Sequence, residues 1–458
     1  MPWLNPLLQK AIEFSVDHLL LVFGGLSFFV IAWSSISRRK KHEKAAKKIL
    51  QKTMETQSHE PATLHPEIDA ALCAGCGSCT EVCPEGDILR LIDHKAVLVA
   101  PSKCVGHGEC EAVCPNNAIT LVFGTKTRGM EIPRISPHYE TNVPGLYIAG
   151  ELGGMGLIRN AIKQGHLAAV HALSHIKSTT EKTDVDLMII GAGPAGFTAA
   201  LTAIAQRKSY MCIDQNTLGG AVANFPRQKL VMSAPADLPI VGKMKFPSNK
   251  VSKEELIDYW RSIQKKTGLK VHEKTHFETL EVIGNIFAIK TSRGIVKAKK
   301  VILALGVRGS PRKLGLPNED LSKVAYNLID PFQYRNQNIA VVGAGNAGVE
   351  AAQYLARDEL QNKVRLLVRG AALDRCNEEN MRIIKELEAR GRVKIQYQTS
   401  VAEIEKAHLL LKTPEGPVKI ANDYLFVFAG AEMPFKFLMS LGIKIDKKFG
   451  EAIKKTAS

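Results

Sequence analysis

The chain is poor in cysteine outside one short region. Of its 458 residues, only Cys212 and Cys376 are cysteines beyond position 114, and they do not form a closely spaced pair. Thiol–disulfide exchange needs an attacking thiol and a second sulfur that resolves the mixed disulfide. Because this part of the chain offers no such dithiol, we expect it to have no disulfide chemistry of its own.

A recognisable signal peptide is also missing. An uncharged, strongly apolar segment, residues 19–33, is followed rather than preceded by positive charges. It extends to about Ile36, near the ~20 residues with which a helix crosses a bilayer. The positive-inside rule then predicts a single-pass helix at about residues 17–36 in the bacterial inner (plasma) membrane, with the catalytic domains in the cytoplasm. A buried core helix is the alternative.

The chain is basic, with 61 Lys and Arg against 45 Asp and Glu. The excess is concentrated between Arg38 and Lys52, where eight basic residues accompany one acid. Since no recognised nucleic-acid-binding module lies beside this run, we expect no nucleic acid among the partners. We expect the run to contact anionic lipid headgroups as a juxtamembrane spacer.

What the sequence does contain is a cysteine pattern that occurs twice. The spacing Cys-x2-Cys-x2-Cys-x3-Cys-Pro begins at residue 73 and returns at residue 104, with a histidine in one position. Bacterial two-cluster ferredoxins have this spacing, and the fourth cysteine of each run ligates the other cluster. Zinc sites usually place their second cysteine pair far from the first, and clustered cysteines are atypical of a disulfide framework. We therefore predict one cluster on Cys73, Cys76, Cys79 and Cys114, and another on Cys83, Cys104, His107 and Cys110.

His107 leaves the type of the second cluster open. Its imidazole either ligates iron, which gives a 4Fe-4S cluster with one histidine ligand, or stands aside, which leaves a 3Fe-4S cluster. A loop histidine without a role is the third reading. Both cluster types remove one negative charge from the ligand shell, so we expect a higher reduction potential than that of an all-cysteine cluster.

The first of two glycine motifs follows a strand over residues 186–190. A helix comes after the motif, and a second strand over 210–213 ends on Asp214. Such glycines let the backbone approach a pyrophosphate at the helix N-terminus, and the acid receives a ribose hydroxyl. The predicted dinucleotide-binding residues are Gly191, Gly193, Pro194, Ala195, Gly196 and Asp214.

The second motif follows a strand over residues 339–342, and the next strand ends on Arg369 where an acid is common. A positive charge at this place accommodates a 2′-phosphate, which favours NADPH over NADH. A surface arginine without a ligand is the alternative. The predicted residues of this site are Gly343, Gly345, Asn346, Ala347, Gly348, Glu350 and Arg369.

Two such motifs in series resemble the two-domain FAD/NAD(P)H flavoproteins of the thioredoxin reductase type. Residues 301–306 and 424–430 are similar to strands that close the FAD segment and return to it. The stretch that begins at Leu218 is more particularly similar to bacillithiol disulfide reductases. The resemblance covers most of residues 186–440. It implies FAD at the first motif together with Gly220 and Gly306, NAD(P)H at the second motif, and a homodimer as one possibility.

The family's last segment carries a strand, a Gly-Asp pair and a helix that points at the flavin. Residues 133–165 are similar to this segment, although they precede both glycine motifs, so the flavoprotein resembles a circularly permuted member. The resemblance implies Gly150 and Glu151 in the Gly-Asp place, with Glu151 on the ribityl chain. It also implies a helix N-terminus near Ile158 at the pyrimidine end of the flavin. An unrelated insertion over 121–178 is the alternative.

The departures from the family direct the functional prediction. Thioredoxin reductases carry Cys-x-x-Cys just before the second motif, where this chain has residues 326–330 without cysteine. Bacillithiol reductases are expected to carry a cysteine in the first motif, where this chain has Ala195. We therefore predict an FAD-dependent NAD(P)H oxidoreductase that passes electrons through FAD to the clusters and an unknown redox protein or quinone. Hydride transfer at the flavin needs no acid–base or nucleophilic side chain, so no catalytic residue is predicted.

Other directions and activities stay open at this point. A ferredoxin-type donor could drive the reverse reaction toward NADP. The alternatives from other classes are a disulfide reductase that uses a thiol of its substrate or partner, and a non-catalytic redox sensor.

The chain is long enough for about three domains. We predict a multidomain fold with an N-terminal transmembrane helix, an α+β ferredoxin-like two-cluster domain, and an α/β flavoprotein with two Rossmann-like dinucleotide-binding domains. The expected boundaries are 1–37 for the N-terminal segment, 38–65 for the basic juxtamembrane spacer, 66–120 for the two-cluster ferredoxin domain, 121–178 for the permuted segment of the FAD domain, 186–308 for the FAD-binding domain, 309–425 for the NAD(P)H-binding domain and 426–458 for the return segment and tail.

Overall fold

The computed structural model describes most of the chain. The described residues are 6–55, 61, 64–127, 129–153, 156–176, 180–232, 235–248, 250–307, 311–373 and 375–452. The side chains of residues 6–22, 24, 25, 52, 232 and 378 lie outside this description, although their backbone belongs to a helix or a strand.

The secondary structure alternates between helices and strands through most of the chain. The helices are α1 (Pro6–Glu55), α2 (Ser78–Glu81), α3 (Glu109–Ala112), α4 (Ile158–Ser174), α5 (Pro194–Ala205), α6 (Lys253–Thr267), α7 (Asn346–Leu355), α8 (Glu378–Ala389) and α9 (Phe435–Ser440). The strands are β1 (His65–Ile68), β2 (Leu89–Ile92), β3 (Lys95–Leu98), β4 (Ile119–Phe123), β5 (Met130–Pro133), β6 (Leu146–Ile148), β7 (Val185–Ile190), β8 (Tyr210–Ile213), β9 (Leu230–Met232), β10 (Ala236–Leu238), β11 (Gly242–Met244), β12 (Lys250–Ser252), β13 (Phe277–Ile283), β14 (Ile286–Thr291), β15 (Gly294–Leu303), β16 (Val324–Ala325), β17 (Asn338–Val342), β18 (Lys363–Leu367), β19 (Val393–Gln396), β20 (Ser400–Ile404), β21 (His408–Thr413), β22 (Gly416–Ala421), β23 (Tyr424–Val427), β24 (Ile445–Lys448) and β25 (Glu451–Ala452).

The chain divides into two compact units. The first contains residues 1–59, 68–101 and 109–119, and the second contains residues 60–67, 102–108 and 120–458. The ferredoxin-like region predicted at 66–120 is therefore split, because residues 102–108 group with the second unit.

In the first unit, β2 and β3 form an antiparallel hairpin. Its two-residue turn, Asp93 and His94, has positive φ at both positions, which is the backbone of a type I′ turn. Short helices α2 and α3 contribute Cys79 and Cys110 to a small core with Leu89, Ala96 and Ile119.

Helix α1 continues through the boundary that we placed between residues 37 and 38. Near its C-terminal end, Ala46 is buried against Ile92 and Val99 of the hairpin region, and the Thr53 hydroxyl donates to the Val99 carbonyl at 2.9 Å. The predicted spacer at 38–65 is thus helical as far as residue 55, and its last turns pack on the first unit.

Within the described part of the chain, no helix is long and apolar enough to cross a membrane. The spanning helix that we predicted at about residues 17–36, and the single-pass membrane location that follows from it, are therefore not supported. In that segment, the side chains of residues 17–22, 24 and 25 lie outside the described part of the structure.

The second unit contains one mixed sheet, in which β13, β14 and β15 pair antiparallel, and one parallel sheet. The first sheet has the order β13-β14-β15-β7-β8, and β6 lies beside β15. Its central strands pair in parallel, and residues of β7 point alternately to two buried faces, with Leu187 and Ile189 in one core and Met188 and Ile190 in another. Burial on both faces explains the uninterrupted apolar run at 187–190.

Helices α4, α5 and α6 help to cover the first of these faces. Phe197 of α5 packs against Trp260 of α6, with ring centroids 5.8 Å apart. Helix α6 begins with a capping box, in which Ser252 and Glu255 bond to each other's backbone N–H, and it ends at Gly268 in the left-handed region.

The second sheet is parallel, with the order β16-β23-β17-β18-β19. Helices α7 and α8 contribute to a core on one face. The antiparallel sheet β20-β21-β22 packs on the other face, where Leu409 and Leu411 meet Ala340 and Leu367. The two sheets are the pair of dinucleotide-binding folds that the glycine motifs predicted.

Strand β24, near the end of the chain, pairs with a much earlier segment. It runs antiparallel to β5, and the Arg134 guanidinium bonds to the Asp446 carboxylate at 2.6 and 3.0 Å. Asn142 extends this contact by donating to the Gly442 carbonyl at 2.9 Å. Next to β24 in the sequence, strand β25 pairs antiparallel with β4, and β1 completes a small sheet of order β1-β4-β25.

Candidate functional site

The four cysteines predicted for the first cluster line one pocket. Cys73, Cys76, Cys79 and Cys114 surround it, and Leu91, Ala96 and Ile119 supply apolar walls. Its volume is about 350 Å³ when the part open to solvent is included. The fourth cysteine lies far from the other three in the sequence, so its presence here agrees with the interlocking pattern of two-cluster ferredoxins.

Two glycines allow the loop to follow the pocket wall. Gly75 and Gly77 both have positive φ, at 69° and 85°. A Cβ at Gly75 would lie 2.1 Å from the His94 carbonyl oxygen, a separation that only glycine permits. The loop is held against the β2–β3 turn in this way.

Backbone and hydroxyl groups contact three of the four sulfurs. The Ala118 N–H donates to Cys114 Sγ at 3.2 Å, and the Ala96 N–H donates to Cys73 Sγ at 3.5 Å. The Ser78 hydroxyl lies 3.6 Å from Cys76 Sγ. Hydrogen bonds to ligating sulfurs stabilise negative charge and tune the reduction potential of an iron–sulfur cluster.

The thiols also influence one another. Burial raises the pKa of Cys79 to about 11, and Coulombic repulsion from Cys73, Cys76 and Cys114 adds to the increase. In contrast, the hydrogen bond from the Ser78 backbone lowers the pKa of the exposed Cys76 thiol. Iron ligation requires the thiolate form of each cysteine, so the positive charge of the bound irons would offset this cost at Cys79.

The donor set of this pocket fits a cubane cluster. Each thiolate of a 4Fe-4S cluster binds a separate iron, so the four sulfurs are expected around a cavity rather than around one point. The four cysteines that line this pocket supply such a set of thiolates, and their assignment as the ligands of the first cluster stays a prediction.

The residues predicted for the second cluster are distributed over both units. Cys83 and Cys110 belong to the first unit, and burial raises the pKa of Cys83. Cys104 and His107 belong to the second unit. The ligand set of this cluster stays a prediction.

The loop of residues 102–108 is firmly placed in the second unit. Cys104 Sγ donates to the Leu64 carbonyl at 3.8 Å, and a Cβ at Gly106 would lie 2.9 Å from the same oxygen. The Arg159 guanidinium, in the first turn of α4, donates to the His107 carbonyl at 3.4 Å. Nothing in the sequence indicated this contact of Arg159.

The first glycine motif forms the tight strand–turn–helix that a dinucleotide site needs. Gly191 follows β7 with φ 108°, and a Cβ there would lie 2.4 Å from the Ala304 carbonyl oxygen. A Cβ at Gly196 would lie 1.8 Å from the Gly191 carbonyl oxygen. Because both positions exclude a side chain, the turn can direct the N-terminus of α5 at a pyrophosphate.

Asp214 and Gly220 lie beside this turn. The Asp214 carboxylate accepts the N–H groups of Ala192 and Asn216, each at 2.8 Å. Burial raises the pKa of Asp214, while these two N–H donors act in the opposite direction. A Cβ at Gly220 would lie 3.0 Å from Gly193 Cα and 3.8 Å from Asp214 Oδ2. The carboxylate thus fixes the glycine turn and keeps further acceptor positions for a ribose hydroxyl.

The segment predicted to carry the Gly-Asp equivalent meets the same region. A Cβ at Gly150, which has φ 86°, would lie 3.3 Å from Ala195 Cβ. Glu151 Oε2 lies 3.9 Å from the Cβ position of Gly306. Ile158 is the first residue of α4 and is half-buried. Three stretches that are distant in the sequence therefore converge around one dinucleotide fold.

Gln164 is a polar residue of this region that the sequence did not indicate. It is buried, and its Oε1 accepts the Gly150 N–H at 2.8 Å. Among the described residues its Nε2 has no hydrogen-bond partner. A buried donor without a partner costs roughly 1–3 kcal/mol. This donor and the glycine turns fit a bound dinucleotide with acceptor groups.

The second glycine motif repeats the same local geometry. A Cβ at Gly343, with φ 129°, would lie 2.4 Å from the Phe428 carbonyl oxygen, and one at Gly348 would lie 2.5 Å from the Gly343 carbonyl oxygen. Helix α7 begins at Asn346, directly after Gly345. Ala347 lies in its first turn. Arg369 is exposed two residues beyond the end of β18.

Two side chains of this motif have structural partners. Asn346 Oδ1 accepts the Asn377 N–H at 2.8 Å, which fixes the start of α7. Glu350 accepts from the Asn380 amide at 3.0 Å and pairs with Lys229 at 2.6 Å. Glu350 thereby connects the two dinucleotide folds, a role that its place in the motif did not predict.

Comparisons with known proteins divide the chain in a similar way. Residues 188–456 match the family model described as pyridine nucleotide-disulphide oxidoreductase, and residues 65–115 match the model described as 4Fe-4S dicluster domain. The dicluster match covers the predicted run of seven cysteines and His107.

Curated relatives resemble the flavoprotein part. Bacilliredoxin reductase Bdr of Bacillus subtilis (strain 168) is 26% identical over 274 residues, which are 57% of this chain and 82% of that protein. A ferredoxin–NADP reductase of Ignicoccus hospitalis is 28% identical over 271 residues, which are 57% of this chain and 83% of that protein. Among solved structures, bacillithiol disulfide reductase Bdr from Staphylococcus aureus matches with a TM-score of 0.53 at 23% identity, over 57% of this chain and 81% of that one, which shows the fold alone.

Proposed function

The chain belongs to the pyridine nucleotide-disulphide oxidoreductase family and is an FAD-dependent NAD(P)H oxidoreductase with an iron–sulfur domain, and from this premise we propose that it exchanges electrons between NAD(P)H and an outside redox partner through FAD and two clusters. When bound, FAD accepts a hydride and releases electrons singly, and iron–sulfur clusters carry single electrons. The favoured direction is from NAD(P)H outward. The reverse direction, from a ferredoxin-type donor to NADP, uses the same groups.

One observation carries the choice of electron transfer over disulfide chemistry. Cys212 and Cys376 are both fully buried, and they belong to different hydrophobic cores. Burial raises the pKa of the Cys212 thiol well above its usual range, which removes its thiolate at neutral pH. The accessible sulfurs of the chain lie in the ferredoxin-like region, where Cys76 is exposed.

The protein's own residues supply position and charge. The turns at Gly191 and Gly343 would hold the pyrophosphates of the two dinucleotides at the N-termini of α5 and α7. Asp214 and Glu151 are acceptors for hydroxyl groups of FAD. Arg369 is exposed just beyond the end of β18, the place in this fold where a guanidinium would pair with a 2′-phosphate, so the preferred cofactor is NADPH.

The flavoprotein is circularly permuted in this proposal. Strand β6 lies beside β15 in the sheet of the first dinucleotide fold, with Leu146 opposite Val301, although it precedes β7 in the chain. Strand β24 runs antiparallel to β5, as the two arms of one hairpin do. A hairpin opened at its turn, with new termini there, accounts for both pairings.

We propose that the partner meets the protein at the pocket of the first cluster. Cys76 is exposed at this pocket, and Leu72 and Val113, next to ligands Cys73 and Cys114, are 51% and 37% exposed. A partly apolar surface beside a cluster suits close contact with a second redox protein or a quinone.

Anaerobic titration of the purified protein with NADPH, and in parallel with NADH, tests this function. The flavin absorbance should bleach first, and paramagnetic signals of reduced clusters should follow, at lower concentrations of NADPH than of NADH. A matched Cys79→Ala variant should lose the signal of the first cluster. Flavin bleaching without any reduced-cluster signal in the unaltered protein would overturn the electron-transfer proposal.

A further inference from the structure

The two cluster-binding runs have different relations to the flavoprotein fold. Residues 102–108, which carry Cys104 and His107, group with the second unit, whereas the run at 73–79 belongs to the first unit. The 102–108 loop therefore belongs to the compact unit that holds the dinucleotide sites.

Several contacts fix the 102–108 loop in place. Gly106 has φ 75°, and a Cβ there would lie 2.9 Å from the Leu64 carbonyl oxygen. The Cys104 thiol donates to the same oxygen. At Gly108, with φ 84°, a Cβ would lie 3.2 Å from the Leu121 side chain. Substituting any of these glycines would displace the loop, because positive φ and close approach both require glycine.

Arg159 connects this loop to the helix that reaches the flavin region. Its guanidinium donates to the His107 carbonyl at 3.4 Å from the first turn of α4. Just before that turn, the Cβ position of Gly156 lies 3.2 Å from Glu151 Oε1, and Glu151 in turn lies beside Gly306. A short series of contacts thus runs from the His107 backbone to the proposed FAD residues.

We propose that Arg159 is a positioning residue that holds the His107 loop on the flavin-binding helix, and that the cluster ligated by this loop is the one that exchanges electrons with the flavin. This inference rests on the proposed function. Electron transfer slows steeply with distance, so a cluster ligated by a loop of the unit that holds the dinucleotide sites is suited to exchange electrons with the flavin. The guanidinium charge also favours the reduced, more negative state of a nearby cluster.

The first test compares Arg159→Gln with Lys163→Gln in the full-length holoprotein. Lys163 is an exposed residue of the same helix, so its substitution removes the same charge at another place. Rapid mixing with NADPH should show unchanged flavin bleaching in both variants. Cluster reduction should slow about tenfold or more in Arg159→Gln only, since small displacements of reacting groups have large effects on rate.

A redox titration followed by paramagnetic resonance gives a readout that does not depend on turnover. The potential of the second cluster should fall in Arg159→Gln and stay unchanged in Lys163→Gln, while that of the first cluster stays unchanged in both. If Arg159→Gln fails to retain iron or flavin, Arg159→Lys replaces it, because lysine keeps the charge without the planar guanidinium. Equal behaviour of the Arg159 and Lys163 variants would overturn the role of Arg159.

The order of the clusters is tested separately with ligand variants. After Cys79→Ala, NADPH should still reduce the second cluster rapidly. After Cys104→Ala, the first cluster should remain visible on reduction with dithionite but should no longer be reduced rapidly by NADPH. The opposite pattern would overturn the order of the clusters. Failure of NADPH to reduce any cluster in the unaltered protein would instead refute the proposed function itself.

Discussion

Gly165 of α4 lies directly on Ala195, the residue in the middle of the first glycine motif. A Cβ at Gly165 would be 2.0 Å from the Ala195 carbonyl oxygen and 2.9 Å from its Cα. Helix α4, which comes from the segment that precedes both glycine motifs in the chain, therefore packs against α5 with backbone nearly in contact. The site for FAD depends on this contact because α5 directs its N-terminus at the pyrophosphate.

We expect Gly165→Ala to weaken the flavin site. Alanine favours a helix by up to ~1 kcal/mol over glycine, but a forced overlap with a backbone oxygen costs roughly 1–3 kcal/mol. FAD content after purification and the thermal midpoint should both fall. Gly370→Ala is the matched control, because its new Cβ would meet its nearest neighbour at an ordinary 3.8 Å. Full FAD occupancy in Gly165→Ala would contradict the packing.

The contact of α1 with the first unit gives a second prediction. Ala46 is 1% exposed against the hairpin region, whereas the adjacent Ala45 is exposed. Ala46→Glu should destabilise the first unit by roughly 2 kcal/mol or more, because a carboxylate would be buried without a partner. Ala45→Glu should have little effect. Thermal unfolding and iron content measure the difference, and similar values for the two variants would argue against the helix packing.

The sequence predicts best those features that depend on local spacing. The cysteine runs and both glycine motifs impose turns within a few residues, so their geometry could be predicted without any knowledge of the fold. The apolar side of α1 was also present in the sequence, since Ala46, Ile49, Leu50 and Thr53 recur at helical spacing. We interpreted this stretch through its lysines instead, as a surface for lipid headgroups.

Contacts between distant segments could not be predicted in this way. The Glu350–Lys229 pair, the Gly150–Gln164 bond and the Arg159–His107 contact join residues whose sequence positions give no indication of proximity. Only the order of strands in the sheet brings the segment around residues 146–174 to the first glycine motif. The family resemblance suggested this placement, but hydrophobic pattern alone did not.

The buried cysteines give a direct test against disulfide chemistry. The double variant Cys212→Ala with Cys376→Ala should keep NADPH-dependent cluster reduction, because both sulfurs are buried in cores away from solvent. Some loss of stability is expected from each lost side-chain atom, of the order of 1 kcal/mol. Stopped-flow rates of flavin and cluster reduction provide the measurement. A large loss of cluster reduction in a folded, fully loaded variant would point to a thiol in the electron path.

The preference for NADPH over NADH should depend on Arg369, which lies just beyond the C-terminal end of β18. Arg369→Ala is expected to raise KM for NADPH about tenfold or more and to leave NADH almost unaffected, because a charged hydrogen bond to phosphate is worth about 1.5–3 kcal/mol. Lys363→Ala, at the opposite end of the same strand, removes a similar exposed charge and serves as the control. Equal losses for the two cofactors in Arg369→Ala would show that the guanidinium does not recognise the 2′-phosphate.

The histidine in the second run provides the last prediction. His107→Cys places a thiolate at the position where the first run has Cys76. If the imidazole of the unaltered protein binds iron, the ligand shell of the variant gains negative charge. The second cluster should then keep its four irons and move to a lower potential. If His107 stands aside, the substitution should convert a three-iron signal into that of a four-iron cluster. Iron content and paramagnetic resonance distinguish these two results, and unchanged spectra would exclude His107 from the ligand position altogether. A lower potential would also slow electron entry from the flavin, since the proposed path enters the clusters through this loop.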